Sequence, residues 1–488
     1  MPNVNTRDDM QPLLILNIVG LTPRHLGALT PNLAAFAARG TLKPLATVTP
    51  AVTCSVQATL LTGLAPSRHG VVGNGWYFRD VAEIGFWKQS NQLVGGEKLW
   101  ESAKRRDPRF TCANLFWWFN MASSHDFGAT PRPIYKADGR KLPDCYTKPA
   151  SWRDRLSARL GAFPLFQFWG PATTIASTEW IAKAAMMAID EQDPTLTLVY
   201  LPHLDYDLQR HGPDEAHPAV RQSLTDVDRV AGELIAHAQG AGRRVLVLSE
   251  YGITAVDRPL YLNRHLRAAG YLAVREEDGA ELLDPIASTA FAVVDHQIAH
   301  VYVANPADIE AVRALLAAIP GVEAVWCGAE RAVAGLDHAR SGELVVMADA
   351  RSWFSYYYWL DDRRAPDFAR TVEIHRKPGY DPAELFVDPA IRFPRLAIGA
   401  RLLKRKLGLR ALMDVIGLDA TIVKGSHGRP VDDPTMGPLI IADAPNAFGG
   451  DVVRAEDVKQ IALDIMFAAP AAAQDGVAAA RADHLAVV

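Results

Sequence analysis

The chain has 488 residues, of which 49% are hydrophobic and 22% charged, and its formal net charge at pH 7 is -4. This composition can bury a substantial core and excludes a disordered chain. Acidic and basic residues are mixed along the sequence, which argues against duplex nucleic acid or an anionic membrane as a partner, while a nucleotide remains a possible small substrate.

Cysteine usage and the N-terminal sequence bear on the cellular compartment. The four cysteines lie far apart and include no CxxC pair, as is typical of a reducing compartment. The first twenty residues have no basic region before their short apolar run, and no apolar run reaches the length of about 18 residues that a membrane span needs. We therefore expect a cytoplasmic protein without a signal peptide or a membrane span. The sequence leaves the oligomeric state open.

The N-terminal region is predicted to form a strand, a helix, a second strand and a second helix. Residues 13–19 form a continuous apolar run, as in a central parallel strand, and a helix is predicted over 33–39. A strand over 42–49 leads to a second helix over 55–62, with Thr53 and Cys54 at its start. A hydroxyl there lies among unpaired backbone N–H groups, in a field that favours negative charge. Thr53 is thus either a helix N-cap or a candidate nucleophile.

The pattern of apolar strands and amphipathic helices continues to residue 248. The predicted elements are a helix over 98–105, a strand over 110–119, an irregular segment over 120–170, a helix over 178–190 with Ser177 as candidate N-cap, a strand over 196–201, a helix over 219–239 and a strand over 244–248. Such repetition predicts a doubly wound α/β sheet, in which ligands bind beyond the carboxyl ends of the strands. Asn17, Asp205 and Glu250 lie at or just past such ends, so we expect them to share one site.

Three later segments differ in sequence composition and pattern from the residues before them. Residues 256–345 include a predicted strand, helix and strand and could form a small α+β insert between two parts of a larger domain, 1–255 and 346–467. Residues 396–417 are basic and amphipathic, and we predict a solvated helix packed on the sheet rather than a membrane helix. The Ala-rich tail, 468–488, is predicted to be partly disordered or weakly helical.

A group of residues around Thr53 carries a family resemblance. Thr53, the Thr62-Gly63 pair, Pro66, His69-Gly70 and Gly73-Asn74 resemble the type I phosphodiesterase/nucleotide pyrophosphatase family of the alkaline phosphatase superfamily. This resemblance implies a doubly wound mixed sheet with a small α+β cap insert, and it makes Thr53 the nucleophile. It also implies a small phosphorylated substrate and two divalent metal ions, usually zinc.

The metal ligands that the resemblance implies are only partly present. The Asp expected at the end of the first strand falls on Val19, and Asn17, on the same face of the strand, could supply an oxygen instead. Four further ligand positions fall on Asp205, Gln209, Glu250 and Tyr251, and the final His is His427. An alternative register uses Asp207 and His211 in place of Asp205 and Gln209.

These replacements leave three interpretations open. Oxygen donors suit Mg, Mn or Ca, so the first is an active hydrolase with one metal or a harder metal. In the second, other histidines replace the missing ligands, with His203, His296 and His300 as candidates. The third is a catalytically degenerate family member that binds a phosphorylated ligand.

The sequence indicates the residues that contact the substrate less clearly than it indicates the metal ligands. The family often places an Asn three residues after the nucleophile, and here that position is Val56, so Gln57 or Asn74 could donate to the phosphoryl group instead. Aromatic residues are frequent near Thr53 and could stack on a leaving group, or belong to the core: Trp76, Tyr77, Phe86, Trp87, Trp117 and Trp118.

The predicted function is therefore a metal-dependent phosphoric ester hydrolase that uses Thr53 to attack a phosphodiester, pyrophosphate or phosphonate. The alternative is a binding protein built on the same fold. The Gly-x-Ser-x-Gly elbow of serine hydrolases and the Gly-x-Gly-x-x-Gly fingerprint of dinucleotide-binding oxidoreductases are both missing where those classes need them.

Overall fold

The computed structural model describes residues 10–138, 140–409 and 411–468, so all but the first residue of the predicted C-terminal tail lies outside the described part. The main sheet has nine strands. Their spatial order is Val453–Arg454, Thr41–Ala46, Leu439–Ala442, Arg244–Leu248, Leu13–Ile18, Leu196–Leu201, Cys112–Leu115, Phe127–Pro131 and Cys145–Lys148.

Strand direction makes this a mixed sheet, as predicted. Leu13–Ile18 pairs in parallel with Leu196–Leu201 on one side and with Arg244–Leu248 on the other. Leu439–Ala442 then pairs antiparallel to Arg244–Leu248. All six residues of Leu13–Ile18 are buried, as expected for a strand that helices cover on both faces.

Five helices of this core match predicted segments: Pro31–Arg39, Thr53–Thr62, Leu99–Arg106, Ala176–Gln192 and Pro218–Gly240. Four further helices in the described chain were not predicted: Pro66–His69, Trp152–Leu160, His203–His211 and Val458–Phe467. Across the described ranges, no helix has both the length and the apolar composition needed to span a bilayer.

Three predictions about local structure are wrong. The strand predicted over 110–119 is confined to Cys112–Leu115, because the backbone is left-handed at Phe116 (φ 70°), which ends the extended run. Ser177 lies inside the helix Ala176–Gln192 and is not its N-cap. The segment 120–170, predicted to be irregular, adds Phe127–Pro131 and Cys145–Lys148 to the sheet edge.

A second, antiparallel sheet lies between the two parts of the core in sequence. Its strand order is Ala290–Asp295, Ile298–Val303, Leu344–Ala348 and Val322–Cys327. The helices Leu262–Ala268, Ile309–Ala317 and Gly328–Val333 belong to the same segment. The proposed insert boundary at residue 345 falls inside Leu344–Ala348, and the hydrophobic core of this lobe continues as far as Val423.

Shorter elements complete the described chain. The remaining paired strands are Gly75–Phe78 with Glu83–Phe86, Ile134–Tyr135 with Lys141–Leu142, Thr254–Ala255 with Gly425–Ser426, Arg258–Leu260 with Ser352–Phe354, and Val274–Glu277 with Ala280–Leu283. The last helix of the second lobe, Pro394–Lys406, has no buried residue.

Candidate active site

Thr53 is the first residue of the helix Thr53–Thr62, and the extended residue before it, Val52, is the N-cap. The side chain of Thr53 is buried, and its Oγ1 lies 3.1 Å from the hydroxyl of Tyr251. Tyr251 in turn donates to Oδ1 of Asp205 at 3.3 Å. When Asp205 is ionised it accepts the Tyr251 proton, and the Thr53 hydroxyl can then donate to Tyr251; Thr53 also has a side-chain hydrogen bond with Glu250. The three groups form a directed hydrogen-bond chain from Thr53 to Asp205.

Asp205 and Gln209 lie one turn apart on the helix His203–His211, as the first register requires. The amide nitrogen of Gln209 donates to Asp205 Oδ2 at 2.6 Å, and the Gln209 oxygen accepts from the hydroxyl of Tyr380 at 3.0 Å. Burial raises the pKa of Asp205 to about 7, against the opposing effect of these hydrogen bonds. In contrast, Asp207 pairs with Arg210 at 2.9 Å, so the alternative register points to a different cluster.

Glu250 follows the strand Arg244–Leu248 and is held by two amide side chains. Asn17 Nδ2 and Gln57 Nε2 each donate to Glu250 Oε1 at 2.6 Å. Glu250 Oε2 and Asn17 Oδ1 are buried and have no hydrogen-bond partner among the residues that the structure describes. Burial raises the pKa of Glu250 to about 8. The structure thus places Asn17 in direct contact with Glu250, and the charge of Asp205 is near enough to act on Glu250.

His427 enters this cluster from the C-terminal part of the chain. Its Nδ1 donates to the carbonyl of Ala51 at 2.8 Å, so the lone pair is on Nε2, which lies 3.8 Å from Asp205 Oδ1. The ring stacks on Tyr251 with centroids 3.6 Å apart and an interplanar angle of 7°. Burial holds the pKa of His427 well below its usual value, so the imidazole is neutral.

The second sheet contributes Asp295, which the sequence analysis missed. The Asp295 carboxylate accepts from the backbone N–H of Asn74 at 2.7 Å and from its side-chain amide at 3.1 Å. The Asn74 oxygen accepts from the backbone N–H of Cys54 at 2.9 Å. Asn74, predicted to contact substrate, therefore connects the second sheet to the first turn of the Thr53 helix.

Of the three histidines considered as replacement ligands, only His296 packs against His427. Its Nδ1 donates to Asp295 Oδ1 at 2.8 Å, and its ring centroid lies 3.6 Å from that of His427. His300 instead lies between the carbonyl of Val72 and the backbone N–H of Gly342. The polar Asp295-His296 pair between two buried strands, Ala290–Asp295 and Ile298–Val303, is the signal in the sequence that could have identified this contribution.

The donor chemistry of the cluster does not fit a pair of zinc ions. The described residues include no group of three or more His, Cys, Asp or Glu side chains placed to hold a metal ion. At two positions where the resemblance implies imidazoles, Gln209 and Tyr251 donate hydrogen bonds to Asp205. Asp205 Oδ1 lies 3.8 Å from His427 Nε2, and the buried oxygens Glu250 Oε2 and Asn17 Oδ1 have no hydrogen-bond partner among the described residues. Oxygen donors of this kind suit Mg, Mn or Ca better than zinc.

The aromatic residues near the site form two groups: some are buried in the core, and others line a recess at the surface. Trp76, Phe86 and Trp117 are fully buried in the core. Trp87 is partly exposed and packs against Trp118, with ring centroids 4.9 Å apart. Trp87 and Tyr380 line a small recess beside the Asp205 cluster.

Comparison with known proteins identifies the family. The model of the type I phosphodiesterase/nucleotide pyrophosphatase family matches residues 13–381, and the chain belongs to this family. An uncharacterized pyrophosphatase/phosphodiesterase of Schizosaccharomyces pombe is 26% identical over 279 residues, which are 54% of this chain and 49% of the yeast protein. The chain thus matches about half the length of this curated relative.

Two solved structures share the fold. Phosphonoacetate hydrolase from Sinorhizobium meliloti, in complex with phosphonoformate, is 16% identical with a TM-score of 0.60, and the alignment covers 94% of this chain and 96% of the hydrolase. Murine ectonucleotide pyrophosphatase/phosphodiesterase 5, as an inactive threonine-to-alanine variant in complex with AMP, is 14% identical with a TM-score of 0.55, over 93% of this chain and 94% of the murine chain.

These comparisons confirm the predicted fold of the alkaline phosphatase type. The family to which the chain belongs is that of the type I phosphodiesterases and nucleotide pyrophosphatases, and the two solved structures share its fold.

Proposed function

We propose that the chain hydrolyses a phosphodiester, pyrophosphate or phosphonate bond of a small substrate, with Thr53 as the nucleophile. The observation that carries this proposal is the directed hydrogen-bond chain from Thr53 through Tyr251 to Asp205, at the start of a helix. Backbone N–H groups at a helix start favour the anionic phosphoryl group, and the same field favours a developing alkoxide.

In the proposed reaction, Thr53 Oγ1 attacks phosphorus in line with the leaving group. A bond forms between Oγ1 and phosphorus, and the bond from phosphorus to the leaving oxygen, or carbon in a phosphonate, breaks. The Thr53 proton passes to the Tyr251 oxygen as the Tyr251 proton passes to Asp205. The leaving group departs as an anion and takes up the proton that Asp205 received. Water then attacks the phosphorylated Thr53, which keeps its second ester group if the substrate is a diester; the bond between phosphorus and Oγ1 breaks, and Oγ1 regains a proton from that water.

We also propose that a divalent cation takes part. Asp205 and His427 would hold it, with Glu250 and Asn17 as further oxygen donors; the resemblance implies zinc, and the donor chemistry favours Mg, Mn or Ca. When bound, such an ion neutralises charge on the phosphoryl oxygens. Gln209 and Tyr251, proposed as ligands from the sequence, instead serve as hydrogen-bond donors that orient Asp205.

The finer features of substrate binding are proposals too. Gln57 holds Glu250 and also accepts from the backbone N–H of Trp118 at 2.7 Å, so we assign it a positioning role rather than the phosphoryl contact first considered. Trp87 is the aromatic side chain best placed to stack on a leaving group, because it is partly exposed at the recess. The four described cysteines are free thiols, which supports a reducing, cytoplasmic compartment.

The experiment is a comparison of Thr53→Ala with Ser55→Ala. Ser55 is a buried hydroxyl on the same helix, and its Oγ has no partner among the described residues, so it controls for loss of a hydroxyl. Thr53→Ala is expected to abolish turnover of an activated aryl phosphodiester with the thermal midpoint nearly unchanged, while Ser55→Ala stays active. Equal activity in both variants would eliminate Thr53 as the nucleophile.

A second candidate function is binding of a phosphorylated ligand without turnover. It is favoured by the amide and phenol donors that already bind both oxygens of Asp205 and one oxygen of Glu250. AMP, the ligand of the murine neighbour, is the first ligand to test. Binding of AMP by calorimetry, combined with no hydrolysis of any diester after addition of Zn, Mg, Mn or Ca, would favour this alternative.

A further inference from the structure

The helix Pro394–Lys406 exposes an apolar stripe on the surface of the second lobe. Leu396, Leu403 and Leu407 are 72%, 58% and 68% exposed, and Phe393, just before the helix, is 59% exposed. In chain order, Phe393, Leu396, Leu403 and Leu407 are separated by three, seven and four residues. These intervals place the four side chains along one side of a helix. A single exposed leucine is ordinary, but four aligned apolar side chains mark an interaction surface. We call these four residues the exposed stripe.

A different face of the same helix attaches it to the protein. Ile398 packs against the small core that contains Ala383, Val415 and Ile416. Arg401 donates to Asp414 at 2.6 Å. Ile398 and Arg401 lie three residues apart, so they share one side of the helix, and in helical projection that side is roughly opposite the exposed stripe. Ile398 and Arg401 thus attach the helix to the protein with the stripe facing outward, while Leu402, four residues after Ile398, is also 53% exposed.

The charge around the stripe is strongly positive. The sequence between Asp388 and Asp414 contains seven Lys or Arg and no Asp or Glu, within a chain whose net charge is -4. Arg395, Lys404 and Lys406 are exposed and have no ion-pair partner among the described residues. The even mixture of charges over the whole sequence thus hides a local basic cluster.

Charge complementarity selects the occupant of this surface. A second copy of the chain would bring two basic clusters together, and like charges oppose that contact. The 13-residue helix is also too short to cross a bilayer, which needs about 20 residues. A helix with Leu and Phe on one side and Lys and Arg beside them suits the interface of an anionic membrane.

We propose that Pro394–Lys406 docks in the plane of an anionic lipid surface, with the exposed stripe among the acyl chains and the flanking cations on the head groups. This inference does not depend on the proposed hydrolase activity. It differs from the sequence prediction, which argued against an anionic membrane from the charge pattern of the whole chain. It also agrees with the proposed cytoplasmic location, since the cytoplasmic leaflet carries the anionic lipids.

Flotation of the full chain with vesicles tests the proposal. We expect binding to phosphatidylcholine vesicles that contain phosphatidylserine, weak binding to pure phosphatidylcholine, and loss of binding at high salt. Leu403→Ser combined with Leu407→Ser, and separately Lys404→Glu combined with Lys406→Glu, should each reduce binding about tenfold or more. Leu360→Ser is the matched control, because Leu360 is 60% exposed elsewhere on the surface.

The outcomes are decisive in either direction. Turnover of a soluble aryl phosphodiester should be the same in all these variants, because none of the substituted residues contacts the Asp205 cluster. Absence of binding to anionic vesicles, or equal binding by the stripe and control variants, would overturn the proposal. It would also be overturned if the chain formed a dimer in solution that Leu403→Ser with Leu407→Ser dissociates, since the stripe would then face a second copy.

Discussion

Removal of the Tyr251 hydroxyl probes the connection between Thr53 and Asp205 most specifically. In Tyr251→Phe the ring can remain stacked on His427, 3.6 Å away, while the hydrogen bonds to Thr53 and Asp205 are both lost. Asp205 keeps the hydrogen bond from Gln209, so the loss of the two Tyr251 hydrogen bonds should cost about 1–3 kcal/mol of stability. The loss of the proton path should lower kcat by about 10²-fold, the lower end of the usual contribution of general acid–base catalysis.

The assay is steady-state hydrolysis of an activated aryl phosphodiester, with thermal unfolding measured on the same samples. Tyr302→Phe provides the matched control, since Tyr302 is also a buried phenol, accepting from Tyr77 N and donating to the Arg340 carbonyl at 2.8 Å in the second sheet. We expect the control to lose stability but keep kcat. A Tyr251→Phe enzyme with kcat within about twofold of the parent would refute the proton path.

Three further predictions concern the same cluster. Asp295→Asn should lower kcat about tenfold with little change in KM, because it weakens the positioning of the Thr53 helix through Asn74; a changed KM alone would contradict this role. Burial raises the pKa of Asp205 from 3.8 to about 7 and that of Glu250 from 4.5 to about 8, so the folded state binds protons more tightly than the unfolded state. The contribution of these two carboxyls to the free energy of unfolding should therefore fall as the pH rises from about 4 to about 8. Buried histidines with lowered pKa values oppose this trend, so the Glu250 contribution is measured as the difference between the parent and Glu250→Gln in denaturant titrations of chelator-treated protein. Trp87→Ala should raise KM for an aryl diester by about tenfold and leave KM for a methyl diester unchanged, if the ring stacks on the leaving group.

Local sequence signals were enough to predict the sheet and the helix that carries Thr53. Residues 13–19 are apolar except for Asn17, as is typical of a strand that is covered on both faces. The helix ends at Gly63, whose φ of 70° suits a residue without a Cβ. Because parallel strands end at one edge, the grouping of Asn17 and Glu250 followed from the chain order alone.

The contacts from the second sheet could not be predicted in the same way. Asp295 lies 221 residues from Asn74, and no local pattern specifies a hydrogen bond over that separation. The roles of Gln209 and Tyr251 depend on which of their atoms face Asp205. The spacing of residues in the sequence predicts only on which side of a helix or loop a side chain lies. Spacing therefore located the site, whereas the structure shows how its donors are oriented.

Acid-quench trapping of the reaction intermediate tests the role of Thr53 most directly. After rapid mixing with substrate and quenching within the first turnover, mass spectrometry of the digested protein should find a phosphoryl group on the peptide that contains Thr53, and none in Thr53→Ala. A phosphoryl group on another residue, or first-turnover product release with no labelled peptide, would contradict the account.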